Sequence, residues 1–329
     1  VGEYLDLYTV PNGLEVGKRR VPLGVIGAIY ESRPNVTIDI SALCIKSGNC
    51  LILRGGKEAI RSNKILSDIV RDSLTDACLP GDSVQFVKST DRKLVGQMLH
   101  MDKYIDLMVP RGSAELVSRV KDEATMYSIT GGVGVCHIYV DQSADVDMAL
   151  NIIVDSKLSR PYACNALDTL LVHSDIATRF LPKLTELLLR RGVEIRCDSI
   201  AVEILEHYKH NGVLSAKDSD WGTEFLSLIM AVKIVDSTDE AIAHIHEYGS
   251  GHSEAIVVDD HETAMKFMSE VDSGVVLVNA STVFNDGGQL GLGAEVAIST
   301  SKMHARGPLG LKELMSYKWT VFGSGQVRG

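Results

Sequence analysis

Cys164 is the residue of this chain best suited to covalent chemistry. It lies in the run 160–169, directly before an apolar segment, 170–172, that predicts a buried strand. A thiolate is a strong nucleophile, and loops carried by a rigid scaffold are common places for catalytic groups. Free cysteine is also a frequent small core residue, so position alone leaves a structural role open.

Three glycine turns follow predicted strands and could bind phosphate groups. They lie at 55–56, 110–113 and 131–134, and Arg54 and Lys57 flank the first. Such a turn places unpaired N–H groups and the positive end of a helix dipole beside a ligand. Each turn could equally serve packing, but three of them after strands of one sheet favour a nucleotide cofactor. The chain has neither a P-loop nor a GxGxxG fingerprint.

Other polar side chains follow predicted strands in the second half of the chain. Asn279, Ser281 and Thr282 come after the last predicted core strand. His304 and Arg306 come after a glycine-rich loop. Arginine binds carboxylate or phosphate groups through its bidentate fork. These residues are therefore candidate substrate contacts, although Arg306 could instead form a structural salt bridge.

The elements that must position these residues are short apolar strands that alternate with helices from residue 21 to residue 278. This alternation predicts an α/β fold with parallel sheets, where ligands bind at the carboxyl ends of strands. Before it, alternating runs around Asn12 and Gly13 predict a hairpin arm, either an oligomer contact or an ordinary edge hairpin. We divide the chain into an arm at 1–20, α/β domains at 21–145 and 146–290, and a return segment with a closing strand at 291–329.

Composition limits the classes of function. A chain of 329 residues with 45% hydrophobic residues has material for two globular domains. Its net charge of −10 argues against general nucleic-acid binding, and no apolar run approaches the length that spans a membrane. The six cysteines form no CxxC pair and no zinc spacing, so we expect no metal site. Scattered reduced thiols indicate a cytoplasmic protein.

Several segments, in order along the chain, together resemble one protein family. They are 21–27, 31–37, 53–58, 101–106, 110–112, 136–141, 160–169, 291–295 and 304–308. The family is γ-glutamyl phosphate reductase, or glutamate-5-semialdehyde dehydrogenase, within the aldehyde dehydrogenase superfamily. The resemblance implies an aldehyde dehydrogenase-like α/β fold, with two parallel-sheet domains and a small β arm for oligomerisation. Family members also carry an N-terminal helical segment, which we expect to be missing here.

The family reduces L-glutamate 5-phosphate to L-glutamate 5-semialdehyde with NADPH, releasing phosphate, in proline biosynthesis. The resemblance implies that Cys164 forms a thioester and that the Asn35 side chain stabilises the oxyanion. It also implies that Lys57, in place of an acidic residue that favours NAD, attracts the 2′-phosphate of NADP. The implied cofactor residues are Arg54, Gly55, Gly56, Lys57, Pro110, Arg111, Gly112 and Glu224.

Two other functions compete with this one. A CoA-acylating or non-phosphorylating aldehyde dehydrogenase is one alternative, and a catalytically silent NADPH-binding scaffold is the other. Hydrolytic members of the superfamily carry a glutamate base where this chain has Ile129 and Thr130, which argues against water as the acyl acceptor. The resemblance also implies a homo-oligomer and a functional link to glutamate 5-kinase.

Overall fold

The computed structural model describes residues 1–129, 131, 133–208 and 211–328, and the chain forms two compact units. Unit 1 comprises residues 1–130, 291–297 and 303–329, and unit 2 comprises residues 131–290 and 298–302. The division therefore falls after residue 130, whereas the sequence analysis places it after residue 145. The reason is that the strand Cys136–Val140 hydrogen-bonds within the sheet of unit 2.

Unit 1 contains a parallel sheet with helices between its strands, as the alternation predicts. Its strands up to residue 130 are β1 (Tyr4–Thr9), β2 (Glu15–Pro22), β3 (Val25–Tyr30), β4 (Cys50–Gly55), β5 (Val84–Phe86), β6 (Leu107–Arg111) and β7 (Tyr127–Ser128). Its helices are α1 (Val36–Ser47), α2 (Ile60–Asp76), α3 (Lys93–Met98) and α4 (Ala114–Glu123), with 3₁₀ helices at Lys57–Ala59 and Gly81–Ser83. The sheet order is β5-β4-β3-β6-β7, with every pairing parallel. Ile26, Ala28 and Leu53 have no exposed surface, so β3 and β4 form the centre of the core.

Unit 2 contains a larger parallel sheet. Its strands are β8 (Cys136–Val140), β9 (Leu167–His173), β10 (Glu194–Cys197), β11 (Val213–Ser215), β12 (Ile229–Val235), β13 (Ser253–Val257), β14 (Val275–Val278) and β15 (Ile298–Ser299). Its helices are α5 (Val146–Leu158), α6 (Ser174–Leu189), α7 (Ser199–Ile204), α8 (Thr238–Tyr248) and α9 (His261–Glu270), with 3₁₀ helices at Glu206–Tyr208, Asp218–Asp220 and Thr282–Phe284. The sheet order is β11-β10-β12-β9-β8-β13-β14. Every residue of β8 and β9 is buried, as expected for central parallel strands covered on both faces.

The remaining strands, β16 (Gly307–Pro308) and β17 (Met315–Phe322), belong to unit 1. β17 pairs antiparallel with β2, and β2 pairs antiparallel with β1, which confirms the predicted hairpin and closing strand. Large apolar side chains of this three-stranded arm lie in solvent, among them Leu7, Trp319 and Val321. Among the described residues, no helix is both long and apolar enough to cross a membrane.

Candidate active site

Cys164 lies in the loop between α5 and β9, as the sequence predicts, and its side chain is half-buried and reduced. Two buried groups fix this loop. The fully buried ammonium of Lys157 donates to the Leu167 carbonyl at 2.8 Å, and the thiol of Cys136 donates to the Cys164 carbonyl at 3.2 Å. A loop held in this way keeps its position without help from a ligand.

Asn165 ties the same loop to the segment that follows β14. Its side-chain amide donates to the carbonyls of Val283 and Asn285, at 3.3 and 3.1 Å. The amide of Asn285 in turn donates to the Ser253 hydroxyl at 2.7 Å. The Cys164 loop and the segment after β14 are therefore joined by hydrogen bonds of buried amides.

Gly134 lies against the backbone of Cys164. A Cβ atom at this position would stand 1.6 Å from the Cys164 carbonyl oxygen, so only glycine permits the contact. Gly131 is similarly close to the Ile298 carbonyl, at 2.3 Å from its ideal Cβ. Gly132 and Thr130, which the sequence analysis also considered, lie outside the described residues. The described glycines of this turn thus allow close packing of backbone segments.

Glu224 accepts the N–H of Gly134 through Oε1 at 2.9 Å. Burial raises the pKa of this carboxyl to about 7, the Gly134 hydrogen bond opposes the rise, and the charge of Asp168 adds to it. Because Gly134 also touches Cys164, two candidates chosen separately from sequence, Cys164 and Glu224, share one neighbouring residue. Sequence reasoning missed Asp168 and Lys157, although a charged residue beside or within a predicted buried strand was an available signal.

The substrate candidates after β14 make bonds within unit 2. The exposed Asn279 accepts from the Val258 N–H and donates to its carbonyl, both at 2.9 Å. The buried Ser281 hydroxyl lies 2.8 Å from the Ser156 hydroxyl. Thr282 has no exposed surface, and its hydroxyl has no hydrogen-bond partner among the described residues. A substrate would have to displace the Val258 bonds to engage the Asn279 amide.

In unit 1, Asn35 occupies the N-cap position of α1, at the carboxyl side of β3, but its side chain makes no capping hydrogen bond. The residue is exposed, and its amide donates to the Asp39 carboxylate at 2.8 Å. The helix ends at Gly48, whose φ of 77° is the left-handed conformation typical of helix stops. The side chain of Asn35 is thus held at the start of α1 by its bond to Asp39.

The turn after β4 joins a strand to a helix, as predicted. Gly55 ends β4, Gly56 precedes the 3₁₀ helix, and Lys57 is exposed. The Arg54 guanidinium is largely buried, which lowers its pKa, and its Nη2 donates to the Thr90 carbonyl at 3.4 Å. Glu58 accepts the Ser32 N–H at 2.7 Å. Cationic and carboxylate groups therefore meet at this turn.

At the turn after β6, as at the turn after β4, a carboxylate accepts backbone hydrogen bonds. Ser113 donates its N–H and its hydroxyl to Glu31 Oε2, both at 3.0 Å. A Cβ at Gly112 would stand 2.5 Å from that oxygen, and Pro110 and Arg111 end β6. Sequence reasoning missed Glu31 and Glu58, whose positions near strand ends were the available signal. Because Glu31 already takes the Ser113 N–H, a bound phosphate would depend on cationic side chains more than on this helix end.

His304 and Arg306 lie in unit 1. The ring of His304 packs edge-to-face on Tyr127 with centroids 6.1 Å apart, and its Nε2–H donates to the Glu313 carbonyl at 2.5 Å. Arg306 is half-buried. In the described part of the chain, no group of three or more His, Cys, Asp or Glu residues could hold a metal ion.

Known proteins share this arrangement of parallel sheets. The sequence profile described as the aldehyde dehydrogenase family matches residues 4–197. The chain belongs to the aldehyde dehydrogenase family.

Within that family, a curated relative from Dehalococcoides mccartyi, named gamma-glutamyl phosphate reductase, is 56% identical over 329 residues, which is 100% of this chain and 78% of the relative. The crystal structure of gamma-glutamyl phosphate reductase from Thermotoga maritima matches with a TM-score of 0.96 at 47% identity, over 100% of this chain and 78% of that one. An acetylating aldehyde dehydrogenase from Geobacillus thermoglucosidasius matches with a TM-score of 0.73 at 17% identity, over 95% and 78%, and shares the fold. The resemblance drawn from the sequence segments is confirmed.

Proposed function

We propose that this chain catalyses the NADPH-dependent reduction of L-glutamate 5-phosphate to L-glutamate 5-semialdehyde, with release of phosphate, in proline biosynthesis. The observation that carries the proposal is the half-buried Cys164 thiol on a fixed loop, in a chain whose relatives at 56% and 47% identity bear the reductase name. Reduced thiols suit the cytoplasm, which is the proposed location. The acyl phosphate must be supplied by a kinase reaction on glutamate, so glutamate 5-kinase is the proposed functional partner.

The first half of the reaction is acyl transfer to the enzyme. The Cys164 thiolate attacks the acyl carbon, the bond from that carbon to the phosphate oxygen breaks, and a thioester forms as phosphate leaves. The proposed donors to the tetrahedral oxyanion are the Asn35 amide and the Cys164 backbone N–H. Loss of one such donor typically raises the barrier by about 3–4 kcal/mol.

The second half needs a hydride, which NADPH supplies when bound. The groups of unit 1 fit such an anionic dinucleotide: Lys57 is exposed, and Arg54 has a buried Nε without a hydrogen-bond partner among the described residues. Glu224 would accept hydrogen bonds from the nicotinamide ribose. The Cys164 thiolate leaves as the aldehyde forms, which restores the enzyme.

Two features favour phosphate over water or CoA as the acyl partner. Ile129 is a buried apolar residue in the core of unit 1, so it offers no general base for water. The acetylating relative shares only 17% of its residues with this chain, whereas the reductases share about half. The substrate groups are proposed to meet Asn279, Ser281, Thr282, His304 and Arg306, with Arg306 as the carboxylate or phosphate ligand.

The arm supports a homo-oligomer. Leu7, Trp319 and Val321 of the three-stranded arm expose more than half of their surface here, and large exposed apolar side chains favour burial against a partner surface. We propose a second copy of this chain as the partner, because a repeated apolar arm can bury itself symmetrically. Light scattering should then give a mass above one chain, and Trp319→Glu should lower it.

The reverse reaction tests the proposed function most directly. NADP⁺ reduction by glutamate-5-semialdehyde should require inorganic phosphate, and arsenate should replace it. An assay with CoA in place of phosphate distinguishes the CoA-acylating alternative from the proposed reaction. Turnover without phosphate, or NADP⁺ binding without any turnover, would overturn the proposal in favour of one of the other two functions.

A further inference from the structure

The Asp168 carboxylate has no part in the chemistry described above, yet it lies in β9, the strand that follows Cys164. The residue is 2% exposed. Its Oδ1 accepts the Phe225 N–H at 3.0 Å, and its Oδ2 accepts the Cys136 N–H at 3.4 Å. A buried carboxylate is costly unless it is paired and hydrogen-bonded, so both bonds matter to its place in the fold.

These two bonds connect Asp168, through neighbouring residues, to the backbone of Cys164. Phe225 follows Glu224, whose carboxylate accepts the Gly134 N–H, and Gly134 packs on the Cys164 carbonyl. The thiol of Cys136 donates to that same carbonyl. Asp168 therefore hydrogen-bonds to both segments that contact the backbone of Cys164 from outside its loop, the one at 224–225 and the start of β8.

The charged groups that face Asp168 come from three elements. Lys157 of α5 is its main cationic neighbour, and His137 of β8 favours its ionised form as well. Burial outweighs both and raises the pKa of Asp168 to about 6. Glu224 carries the like charge, and Cys136 of β8 is a further neighbour of Asp168.

We propose that Asp168 is a positioning residue, which holds the Glu224 loop and the start of β8 in register with the Cys164 backbone. The inference rests on the proposed function in one respect, the role of Glu224 in binding the cofactor. Loss of the carboxylate should loosen both neighbours of Cys164 at once. The expected result is weaker NADPH binding together with altered reactivity of the thiol.

Asp198 provides a matched control on the same sheet. Its two carboxylate oxygens also accept two backbone N–H groups, from Ala201 at 2.8 Å and Ile234 at 2.9 Å, at the end of β10. Asp168→Asn and Asp198→Asn each leave one N–H facing an amide that can donate. Both variants should therefore lose stability, but only Asp168→Asn should affect the site.

Three measurements on the full chain decide the matter. We expect Asp168→Asn to weaken NADPH binding about tenfold and to change the rate of Cys164 alkylation by iodoacetamide, whereas Asp198→Asn leaves both at the wild-type value. Because the negative charge of Asp168 raises the pKa of Glu224, its removal should move the midpoint of pH-dependent NADPH binding to lower pH. A folded Asp168→Asn that matches Asp198→Asn in all three would overturn the proposal.

Asp168→Glu keeps the test decisive if the Asn variant does not fold. It retains the charge and both acceptor oxygens, but the longer side chain displaces the 224–225 segment, so NADPH binding should weaken about threefold in a folded protein. Unchanged binding and alkylation would contradict the proposal. Neither measurement needs turnover, so a wild-type chain that binds NADPH but fails the phosphate-dependent assay counts against the proposed reaction alone.

Discussion

The surroundings of Cys164 and the glycine turns of unit 1 are built in opposite ways. Cys164 is fixed by backbone contact with Gly134 and by buried side chains such as Lys157, which has no exposed surface. At the turn after β4, by contrast, Lys57 and Glu58 lie in solvent. A covalent step requires a precise geometry, whereas exposed charges attract an anionic ligand over a distance. Substitutions should therefore act through packing in the first region and through charge in the second.

The strongest challenge to this contrast is removal of the thiol itself. Cys164→Ser keeps the shape of the site, but a serine hydroxyl is a far weaker nucleophile at neutral pH, so turnover should fall about 10⁴-fold or more. NADPH affinity, measured by fluorescence titration, should remain within a factor of two or so. Substantial turnover in this variant would mean that Cys164 is not the nucleophile.

The oxyanion assignment places a catalytic donor among the exposed residues of unit 1. Asn35→Ala should lower kcat by about 10²–10³ with little change in KM, because the bond is needed mainly in the transition state. Asp39→Ala, which removes only the acceptor that Asn35 bonds here, serves as the control and should keep most of kcat. A loss confined to KM would make Asn35 a ground-state contact.

The packing of Gly134 against Cys164 can be tested with a single methyl group. Gly134→Ala forces a Cβ into the Cys164 carbonyl, so we expect about 1–3 kcal/mol less stability and at least about tenfold lower kcat. Gly222→Ala is the matched change in unit 2, because its nearest atom would be 3.9 Å away. Urea unfolding and steady-state kinetics on both variants make the comparison, and equal behaviour would show that the contact is unimportant.

Cofactor preference at the turn after β4 should depend on ionic strength. Lys57→Glu should reduce the preference for NADPH over NADH about tenfold, and the effect should shrink as salt screens the exposed charge. Lys64→Glu makes the same charge change on an exposed position of α2 and should leave the preference nearly unchanged. If the two variants behave alike, the cofactor selector lies elsewhere, with Arg54 as the next candidate.

The smallest effect concerns the pH dependence of stability. The pKa of Glu224 is about 7 in the fold against an ordinary 4.5, so the unfolded chain ionises it first and stability falls as pH rises between these values. Glu224→Gln keeps an oxygen for the Gly134 N–H and abolishes this titration. The variant should be more stable than wild type at pH 8, by about 1 kcal/mol after allowing for partial exposure. Glu206→Gln, which changes an exposed carboxylate, is the control. If Glu224→Gln has the same difference in stability between pH 5 and pH 8 as wild type, the raised pKa of Glu224 is refuted.

Local patterns determined much of the fold. The alternation of apolar strands and helices predicted both parallel sheets, and Asn12 and Gly13 predicted the turn between β1 and β2. The position of Cys164 before a buried strand was likewise readable, because all of β9 is buried. These features follow from backbone preferences and from the burial of apolar runs, which act over a few residues.

Which strands pair and which distant side chains bond to each other was decided only by the tertiary structure. β8 reads like another strand of the first domain, yet it pairs with β9 and with β13, far along the chain. The bonds that shape the site are as distant: Asp168 reaches a residue 57 positions away, and Glu224 one 90 positions away. Such contacts are chosen by the free energy of packing the whole unit, in which a buried carboxylate must find N–H donors wherever the sheet brings them. For this reason the loop position of Cys164 could be predicted from the sequence, whereas the hydrogen-bond partners of Asp168 could be found only in the folded protein.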